Sequence, residues 1–382
     1  KPQAKAGAGS FGPNAVPDKE KKPLWNGKTA IVLASFLIVG SVAYTSYLHF
    51  SSSHSDELYV YNWGEYISNG EDDSMDTNKE FEKLTGIKVK YLNYVSNETM
   101  YSQIKSAGVS YDVIIPSDYM IERLINEDML QKIDTSKISN YDLIDSKYKG
   151  LFFDEKDEYS VPYNVGMVGI VYNEKLTGAN IKHSWNVLWD PKYKDMALNF
   201  DNPRDAFMTA QMILGQDLNT TNKADWDAAA ELLKKGKNNL QDYVMDEVFS
   251  KMETGEASIA PYYAGDCLTM MDVNKDLKFF YPEEGTNIFV DSICIPKNAK
   301  NVEAAHMYIN FLLDPDVATA NAEYLGYASP NTAVVNNKDY CYYQNEILYP
   351  AETAMPKVQY YHDIDTDTRT YYEKLWSEVK LH

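Results

Sequence analysis

The stretch YSVPYNVGMVGIVYN, residues 159–173, decides the fold because this long β-rich run separates two series of alternating strands and helices. Strand-like runs, with apolar alternation or a short buried pattern, occupy residues 58–63, 87–95, 111–117, 196–203, 257–265 and 289–296. Helical patterns occupy residues 79–86, 96–107, 121–130, 205–215, 225–237 and 304–314. The alternation predicts two α/β units joined by a β-rich crossing, with ligand-binding loops at the carboxyl ends of the strands.

The composition is acidic. The 382 residues include 36 Lys and Arg against 56 Asp and Glu, which gives a formal net charge of −20. Phosphate binding needs clustered basic residues, so the balance excludes nucleic acid as the main partner. It favours a cationic partner, or simply a soluble surface. The 31 tyrosines suit a wet binding site as well as a core, because each combines an apolar ring with a polar hydroxyl.

Cysteine and histidine are too sparse to suggest a metal or redox centre. The three cysteines form no disulfide framework and no CxxC spacing, and the six histidines form no HExxH pair. We therefore expect neither a metal nor a cofactor. An enzyme would need a nucleophile with a base. Cys267 beside Asp266 is the only candidate near the expected cleft, and no nearby histidine supports it, so we expect a protein that is not an enzyme.

The first 56 residues differ in composition from the rest. They carry a net charge of +3, whereas the remainder carries −23. Residues 1–28 are rich in Gly, Ala, Pro and Lys, and we expect them to be disordered. Residues 29–50 contain no Asp, Glu, Lys or Arg and are long enough for a transmembrane helix, which takes about 20 residues. The lysines before this run predict a cytoplasmic N-terminal segment, a single-pass anchor in the cell membrane and an extracytoplasmic domain after the linker 51–56.

A cleaved signal peptide is the alternative reading of the apolar run. The run is longer than the usual signal core of about 7–15 residues and no clear A-x-A site follows it, so the uncut anchor is favoured. A lipoprotein is disfavoured because no cysteine lies near the end of the run. The sequence starts at Lys1 rather than at methionine, which suits the C-terminal receptor part of a permease–receptor fusion.

Seven motifs in order resemble the spermidine/putrescine-binding proteins of bacterial polyamine ABC importers. They are LYVYNWGEYI (58–67), GIKVKY (86–91), SNETMYSQIKS (96–106), YDVIIPSDYMIERL (111–124), YSVPYNVG (159–166), FVDSICIP (289–296) and INFLLDPDVA with NAEYLGYASPN (309–331). The resemblance implies a two-lobed α/β fold of the type II periplasmic-binding class. We expect residues 57–165 and 267–310 in lobe 1, and residues 166–266 and 311–382 in lobe 2.

The resemblance also implies site residues. They are Trp63, Tyr66, Ser117, Asp118, Tyr119, Asp205, Tyr243, Tyr263, Asp266, Asp291 and Glu323. Trp63 and Tyr66 match aromatic walls, Ser117 to Tyr119 match a ligand-contacting loop, and Asp205 and Asp266 match acids that bind nitrogen. Asn202 stands where known members carry Asp. Tyr263 stands where the family often has Trp.

These residue types fit a polyamine, which is an apolar chain that carries several ammonium groups. Carboxylates pair with the nitrogens, and aromatic rings cover the methylenes and attract the cations by about 0.5–2 kcal/mol each. The expected function is capture of spermidine or putrescine by hinge closure and delivery to an ABC importer permease and, through it, to its ATPase. The alternative is an extracytoplasmic ligand-sensing domain of a signalling receptor with the same anchor.

Overall fold

The computed structural model describes residues 56–64, 66–106 and 108–382. The expected disordered segment 1–28, the expected transmembrane helix 29–50 and most of the linker lie outside the described residues. In the ranges that are described, no helix is both long and apolar enough to cross a bilayer. The membrane anchor therefore stays a prediction.

Strands and helices alternate along the described chain. The strands are β1 (Glu57–Trp63), β2 (Lys88–Tyr94), β3 (Val113–Ile114), β4 (Ser160–Asn173), β5 (Ala197–Phe200), β6 (Leu240–Val244), β7 (Ile259–Tyr263), β8 (Leu277–Phe280), β9 (Thr286–Cys294) and β10 (Val358–Gln359). The α-helices are α1 (Thr77–Thr85), α2 (Asn97–Lys105), α3 (Asp118–Asn126), α4 (Glu174–Thr177), α5 (Pro203–Leu214), α6 (Lys223–Lys237), α7 (Glu247–Glu253), α8 (Ala264–Val273), α9 (Val302–Leu312), α10 (Pro315–Leu325), α11 (Thr332–Val335) and α12 (Thr366–Leu381). Short 3-10 helices lie at Glu71–Asp73, Thr135–Lys137, Tyr141–Leu143, Ser146–Tyr148, Trp185–Trp189, Pro191–Tyr193 and Glu352–Ala354.

The strands follow the order β2-β1-β3-β9-β4-β7-β5-β6, while β8 pairs with β4 and β10 with β9. β1 is parallel to β2 and β3, and β5 is parallel to β6 and β7. β4 runs antiparallel to β9, β7 and β8. Parallel pairs at both ends of the order, with antiparallel strands between them, give the two α/β units and the β-rich crossing that the sequence predicts.

β4 belongs to both units. All fourteen of its residues are buried. Its first half, up to Met167, pairs with β9, and its second half, from Val168, pairs with β7 and β8. Val165 and Met167 pack in the hydrophobic core built around β1 to β3, which we call the core of lobe 1. Val168 and Ile170 pack in the core built around β5 to β7, the core of lobe 2. The predicted boundary at residues 165 and 166 thus lies two residues from the observed change of core.

The segments after β7 contribute to both cores, so the division of residues 267–382 between the lobes stays a prediction. Residues 267–310 were expected in lobe 1, yet Met270 and Leu277 pack in the lobe 2 core, because the strand after α8 pairs with the second half of β4. Residues 311–382 were expected in lobe 2, yet Leu348 packs in the lobe 1 core. Only the last part of the chain, with α12, returns to the lobe 2 core. These assignments depend on strand pairing, which the helical and strand periodicities do not encode.

Local capping signals are confirmed. The Ser96 side chain accepts a hydrogen bond from the Thr99 amide at the start of α2, and Gly86 ends α1 in a left-handed conformation. α3 begins three residues before the predicted residue 121 and ends at Asn126, because Asp128 adopts a positive φ of 53°. Because α3 starts at Asp118, the sequence SDY (residues 117–119) forms the N-cap and the first turn of this helix.

Candidate functional site

The carboxyl ends of β1 and β3 bring aromatic side chains to one edge of lobe 1. Trp63, the last residue of β1, donates from its indole nitrogen to the Ile115 carbonyl at 3.0 Å. Tyr94, the last residue of β2, donates to the same carbonyl, and its ring centroid lies 4.7 Å from that of Trp63. The Trp63 side chain is held in place at the strand ends and stays partly exposed.

Asp291 on β9 is a buried acid of lobe 1, with 4% of its surface exposed. Its Oδ2 accepts a hydrogen bond from the Tyr66 hydroxyl. Its Oδ1 is buried, and no residue that the structure describes donates a hydrogen bond to it. Burial raises the pKa of Asp291 to about 6, although Tyr66 and Ser117 act to lower it. The carboxyl group therefore has unused capacity to accept a hydrogen bond.

Asp118 and Tyr119, on the first turn of α3, make different kinds of contact. Both carboxylate oxygens of Asp118 accept backbone amides, from Tyr119 and from Val290, so this acid ties α3 to β9. Burial raises the pKa of Asp118 well above its ordinary value. The Tyr119 hydroxyl donates to Glu98 and accepts from Asn97. The Asp118 carboxylate is therefore occupied by the backbone, and ligand contact by residues 117–119 stays a prediction.

Asp205 on α5 is the buried acid of lobe 2. Its Oδ2 accepts the Tyr263 hydroxyl at 2.6 Å and the Asn202 amide at 3.0 Å, and its Oδ1 accepts the Tyr361 hydroxyl at 2.9 Å. Burial raises the pKa of Asp205, and the two tyrosine hydroxyls act against this rise. Asn202 is also the N-cap of α5. An amide at that position supplies a donor to Asp205 where a second carboxylate would repel it.

Asp266, on the first turn of α8, accepts a hydrogen bond at Oδ2 from the Tyr327 hydroxyl at 2.9 Å. Its side chain is partly exposed. Burial of the carboxyl group raises the pKa of Asp266 to about 7, the Tyr327 hydroxyl lowers it, and Asp246 raises it. Gly265 allows this approach, since a Cβ there would lie 2.7 Å from the Tyr327 ring.

Rings connect these acids across the two lobes. The Tyr327 centroid lies 5.6 Å from Tyr66 and 6.3 Å from Phe289, and Phe289 lies 5.7 Å from Tyr263. Phe289 packs directly on Gly166 of β4, where a Cβ would stand 2.1 Å from its ring. We call the set Tyr66, Asp291, Tyr327, Asp266, Phe289, Tyr263 and Asp205 the aromatic–acid cluster.

The carboxylates of the cluster are balanced by no ion pair between described residues, although the charge of the Arg204 guanidinium acts to lower the pKa of Asp205. Asp205, Asp266 and Asp291 form no ion pair with a lysine or arginine in the described part of the chain; their hydrogen-bond donors are tyrosine hydroxyls and one amide. Burying an acid without a partner is costly, which is why all three pKa values rise. An ammonium group placed among these rings would gain charge-assisted hydrogen bonds and cation–π attraction.

Tyr243 and Glu323, two of the predicted site residues outside the cluster, contact other parts of the structure. The Tyr243 ring packs edge-on against Trp376 at 5.0 Å, and its buried hydroxyl has no hydrogen-bond partner. Glu323 on α10 accepts the backbone amide of Cys341. No hydrogen bond or ring contact between described residues joins either one to the aromatic–acid cluster.

Three residues of the site were absent from the sequence prediction. Phe289 could have been found, because it lies two positions before Asp291 on a predicted strand and so shares its face. Tyr327 stands in the motif LGYASP without any pattern that distinguishes it from other tyrosines. Tyr361 follows the last predicted motif, and no sequence signal marks it.

Comparison with known proteins identifies relatives for this arrangement. Residues 110–342 match the family model described as bacterial extracellular solute-binding protein. Residues 32–157 match a model described as hypothetical lipoprotein of the MG045 family. The first match covers more than half of the chain and includes both halves of β4.

Two curated relatives and one solved structure match over most of their length. The spermidine/putrescine-binding periplasmic protein of Salmonella typhimurium is 36% identical over 330 residues, covering 86% of this chain and 93% of the relative. The corresponding Escherichia coli protein is 35% identical over 335 residues, with 86% and 94% covered. The crystal structure of the spermidine/putrescine ABC transporter substrate-binding protein PotD from Streptococcus pneumoniae has a TM-score of 0.74 and 32% identity, with 86% and 99% covered.

These relatives are binding proteins of transporters, so the expectation that the chain is not an enzyme is confirmed. The two-lobed α/β periplasmic-binding fold is confirmed as well. The chain belongs to the bacterial extracellular solute-binding protein family, within the group of spermidine/putrescine-binding periplasmic proteins.

Proposed function

We propose that this chain is the substrate-binding protein of an ABC importer and that it captures a polyamine such as spermidine or putrescine between its lobes. Closure of the lobes around the ligand then produces the form that docks on the permease. A ligand shifts such an equilibrium only by its extra affinity for the closed form. Contacts to both lobes supply that extra affinity, and the aromatic–acid cluster offers acids and rings from both.

The Asp291 carboxylate is the observation that carries this proposal. It is buried, it accepts a hydrogen bond from the Tyr66 hydroxyl, its other oxygen has no hydrogen-bond partner among the described residues, and no described lysine or arginine forms an ion pair with it. A buried acid without a cation is matched by a ligand that brings the cation itself. The names of the relatives, which are spermidine/putrescine-binding proteins, supply the ligand class.

The predicted anchor 29–50 would hold the binding domain close to the membrane. The linker of six residues reaches at most about 20 Å when extended. A short tether of this kind keeps the receptor at an effective concentration in the mM range near its permease. The match to a lipoprotein model offers a lipid anchor as the alternative. The uncharged run 29–50 is long enough to span a bilayer, and for this reason we favour the protein helix as the anchor.

Titration calorimetry of the full chain in detergent tests the function. We expect binding of putrescine, cadaverine, spermidine or spermine, and no binding of glucose or glutarate. Butylamine carries a single ammonium group on the same four-carbon chain as putrescine, and we expect it to bind at least about tenfold more weakly.

Matched substitutions locate the site. Asp291→Asn keeps the size and the acceptor for Tyr66 but removes the charge, and we expect it to weaken polyamine binding at least about tenfold. Asp339→Asn, at an exposed acid, removes the same charge from the protein and should leave affinity unchanged. Equal affinity in the Asp291→Asn variant and the wild type would refute the assigned site, and tight binding of glucose would refute the function.

A further inference from the structure

Asn164 lies on the first half of β4, directly opposite Asp291 on β9. The register of these two strands shifts between Pro162 and Asn164, so that Asn164 rather than Tyr163 stands opposite the acid. Residues that pair directly in an antiparallel sheet place their side chains on the same face, with Cβ atoms about 4.5–5.5 Å apart. A bulge next to a site re-aims a side chain in this way. The bulge in β4 therefore brings the Asn164 side chain beside the Asp291 carboxyl group.

Asn164 also acts on Tyr66, the residue that donates a hydrogen bond to Asp291. Burial and the charge of Asp291 raise the pKa of Tyr66 well above its ordinary value, whereas the Asn164 side chain acts to lower it. Asn164 thus belongs to the polar surroundings of the aromatic–acid cluster, although it was not among the predicted site residues.

Asn164 and Asp291 leave one donor and one acceptor without partners among the described residues. Only 3% of the Asn164 surface is exposed, and its Nδ2 donates no hydrogen bond to a residue that the structure describes. On the same face of the sheet, Asp291 Oδ1 accepts none. A buried polar group that stays unpaired costs about 1–3 kcal/mol. A ligand that supplies an acceptor for Asn164 and a donor for Asp291 removes both costs.

A simple polyamine supplies the donor but not the acceptor. At neutral pH its nitrogens are ammonium groups, which only donate hydrogen bonds, and its methylene groups neither donate nor accept. A carboxylate on the ligand would accept from Asn164, but the Asp291 charge would repel it. A hydroxyl group accepts from Nδ2 without adding charge. When it stands on the carbon next to the one that carries the ammonium group, the two groups reach Asn164 and Asp291 together.

We infer that Asn164 is a specificity-determining residue and that the site favours a hydroxylated amine, in which a hydroxyl group lies next to the ammonium group that binds Asp291. This inference rests on the proposed function and names the substrate class of the same site. The Asp291 carboxylate accepts from the ammonium group, and the Asn164 amide donates to the hydroxyl oxygen. Because the two contacts have opposite polarity and fixed positions, only one enantiomer of such an amine makes both.

Calorimetric titrations of putrescine and of each enantiomer of 2-hydroxyputrescine into the full chain in detergent test the inference, because these diamines differ by one hydroxyl group. We expect one enantiomer to bind the wild type at least about threefold more tightly than putrescine does, as one added hydrogen bond predicts. Asn164→Leu has nearly the same size and no donor. In this variant we expect the putrescine affinity to stay within about twofold of the wild-type value, while the preferred enantiomer loses at least about fivefold.

Asn336 supplies the matched control, since it is exposed at the end of α11. Asn336→Leu should change neither affinity. If neither enantiomer binds the wild type more tightly than putrescine does, the inference is wrong, while putrescine binding leaves the proposed function standing. An unchanged preference in a folded Asn164→Leu variant overturns the assignment to Asn164. If Asn164→Leu does not fold, Asn164→Ala removes the same donor and decides by the same comparison. A wild type that binds none of the diamines overturns the proposed function and this inference with it.

Discussion

Each acid of the cluster is paired with a phenol instead of a cation. Tyr66 donates to Asp291, Tyr327 donates to Asp266, and a carboxylate in such a pair remains negative in net charge when it is ionised. A tyrosine hydroxyl partly offsets the cost of burial without cancelling the attraction for an incoming ammonium group. The unliganded cluster is therefore electrostatically unfavourable, and we expect a polyamine bound there to relieve this cost.

Polyamine affinity should accordingly rise with pH. In the ligand-free site the pKa is about 7 for Asp266 and about 6 for Asp291, and an ammonium group beside either acid lowers that pKa. The complex thus holds fewer protons than the free protein, so affinity increases from pH 5 to pH 8 and then levels off. We expect at least about a tenfold gain, since one group of pKa about 7 is almost fully protonated at pH 5.

Calorimetry in two buffers of different ionisation enthalpy measures the protons released on binding at pH 6.5. The Asp266→Asn variant should release fewer protons than the wild type, whereas Asp339→Asn should match it. Affinity that is constant from pH 5 to pH 8, with no proton release, would contradict the electrostatic description of the cluster.

At the scale of the elements, the sequence predicted what local patterns encode. Strand alternation located β1, β2 and β4, and the cap residues Ser96 and Gly86 marked helix ends. The pairing of β8 with β4 and the return of α12 to the lobe 2 core were not predictable, because long-range pairing leaves no local periodicity. Contacts within the site that depend on long-range pairing could not be predicted either. Motif residues such as Asp291 were predicted, while Tyr361 reaches Asp205 only through a crossing that no pattern marks.

The contact between β4 and β9 should depend on Gly166. An alanine Cβ there would lie 2.1 Å from the Phe289 ring. At this distance the ring must be displaced to make room for the added methyl group. We expect Gly166→Ala to lower the free energy of unfolding by about 1–3 kcal/mol, as overpacking of a core does. It should also weaken polyamine binding, because Phe289 connects Tyr327 to Tyr263.

Urea unfolding followed by circular dichroism measures the stability change. Gly108→Ala is the control, since this glycine is exposed and the nearest atom to an added methyl group, the Ser106 hydroxyl oxygen, would lie 3.9 Å away. Its substitution should leave both stability and affinity unaltered. If Gly166→Ala is as stable as the wild type, the Phe289 ring can move away from Gly166 without loss of stability, and the prediction is wrong.

At the scale of the molecule, the two lobes share their central strands. β4 supplies Met167 to one core and Val168, the next residue, to the other. Tyr327 and Tyr361 add contacts that join the lobes at the site itself. Because one continuous strand contributes to both cores, we expect neither lobe to unfold independently of the other.

Thermal unfolding of the described domain should accordingly be one cooperative transition, with equal calorimetric and van't Hoff enthalpies. Neither core can lose its half of β4 without disrupting the strand that the other core needs. A polyamine at one hundred times its Kd should add about 2.7 kcal/mol to the stability and shift the whole transition upward. Differential scanning calorimetry measures both effects. The Asp291→Asn variant should keep the single transition but lose about half or more of the added stability at the same amine concentration, because tenfold weaker binding lowers it from about 2.7 to about 1.4 kcal/mol. Two separate transitions, of which the amine moves only one, would mean that the lobes unfold independently and that β4 does not couple them.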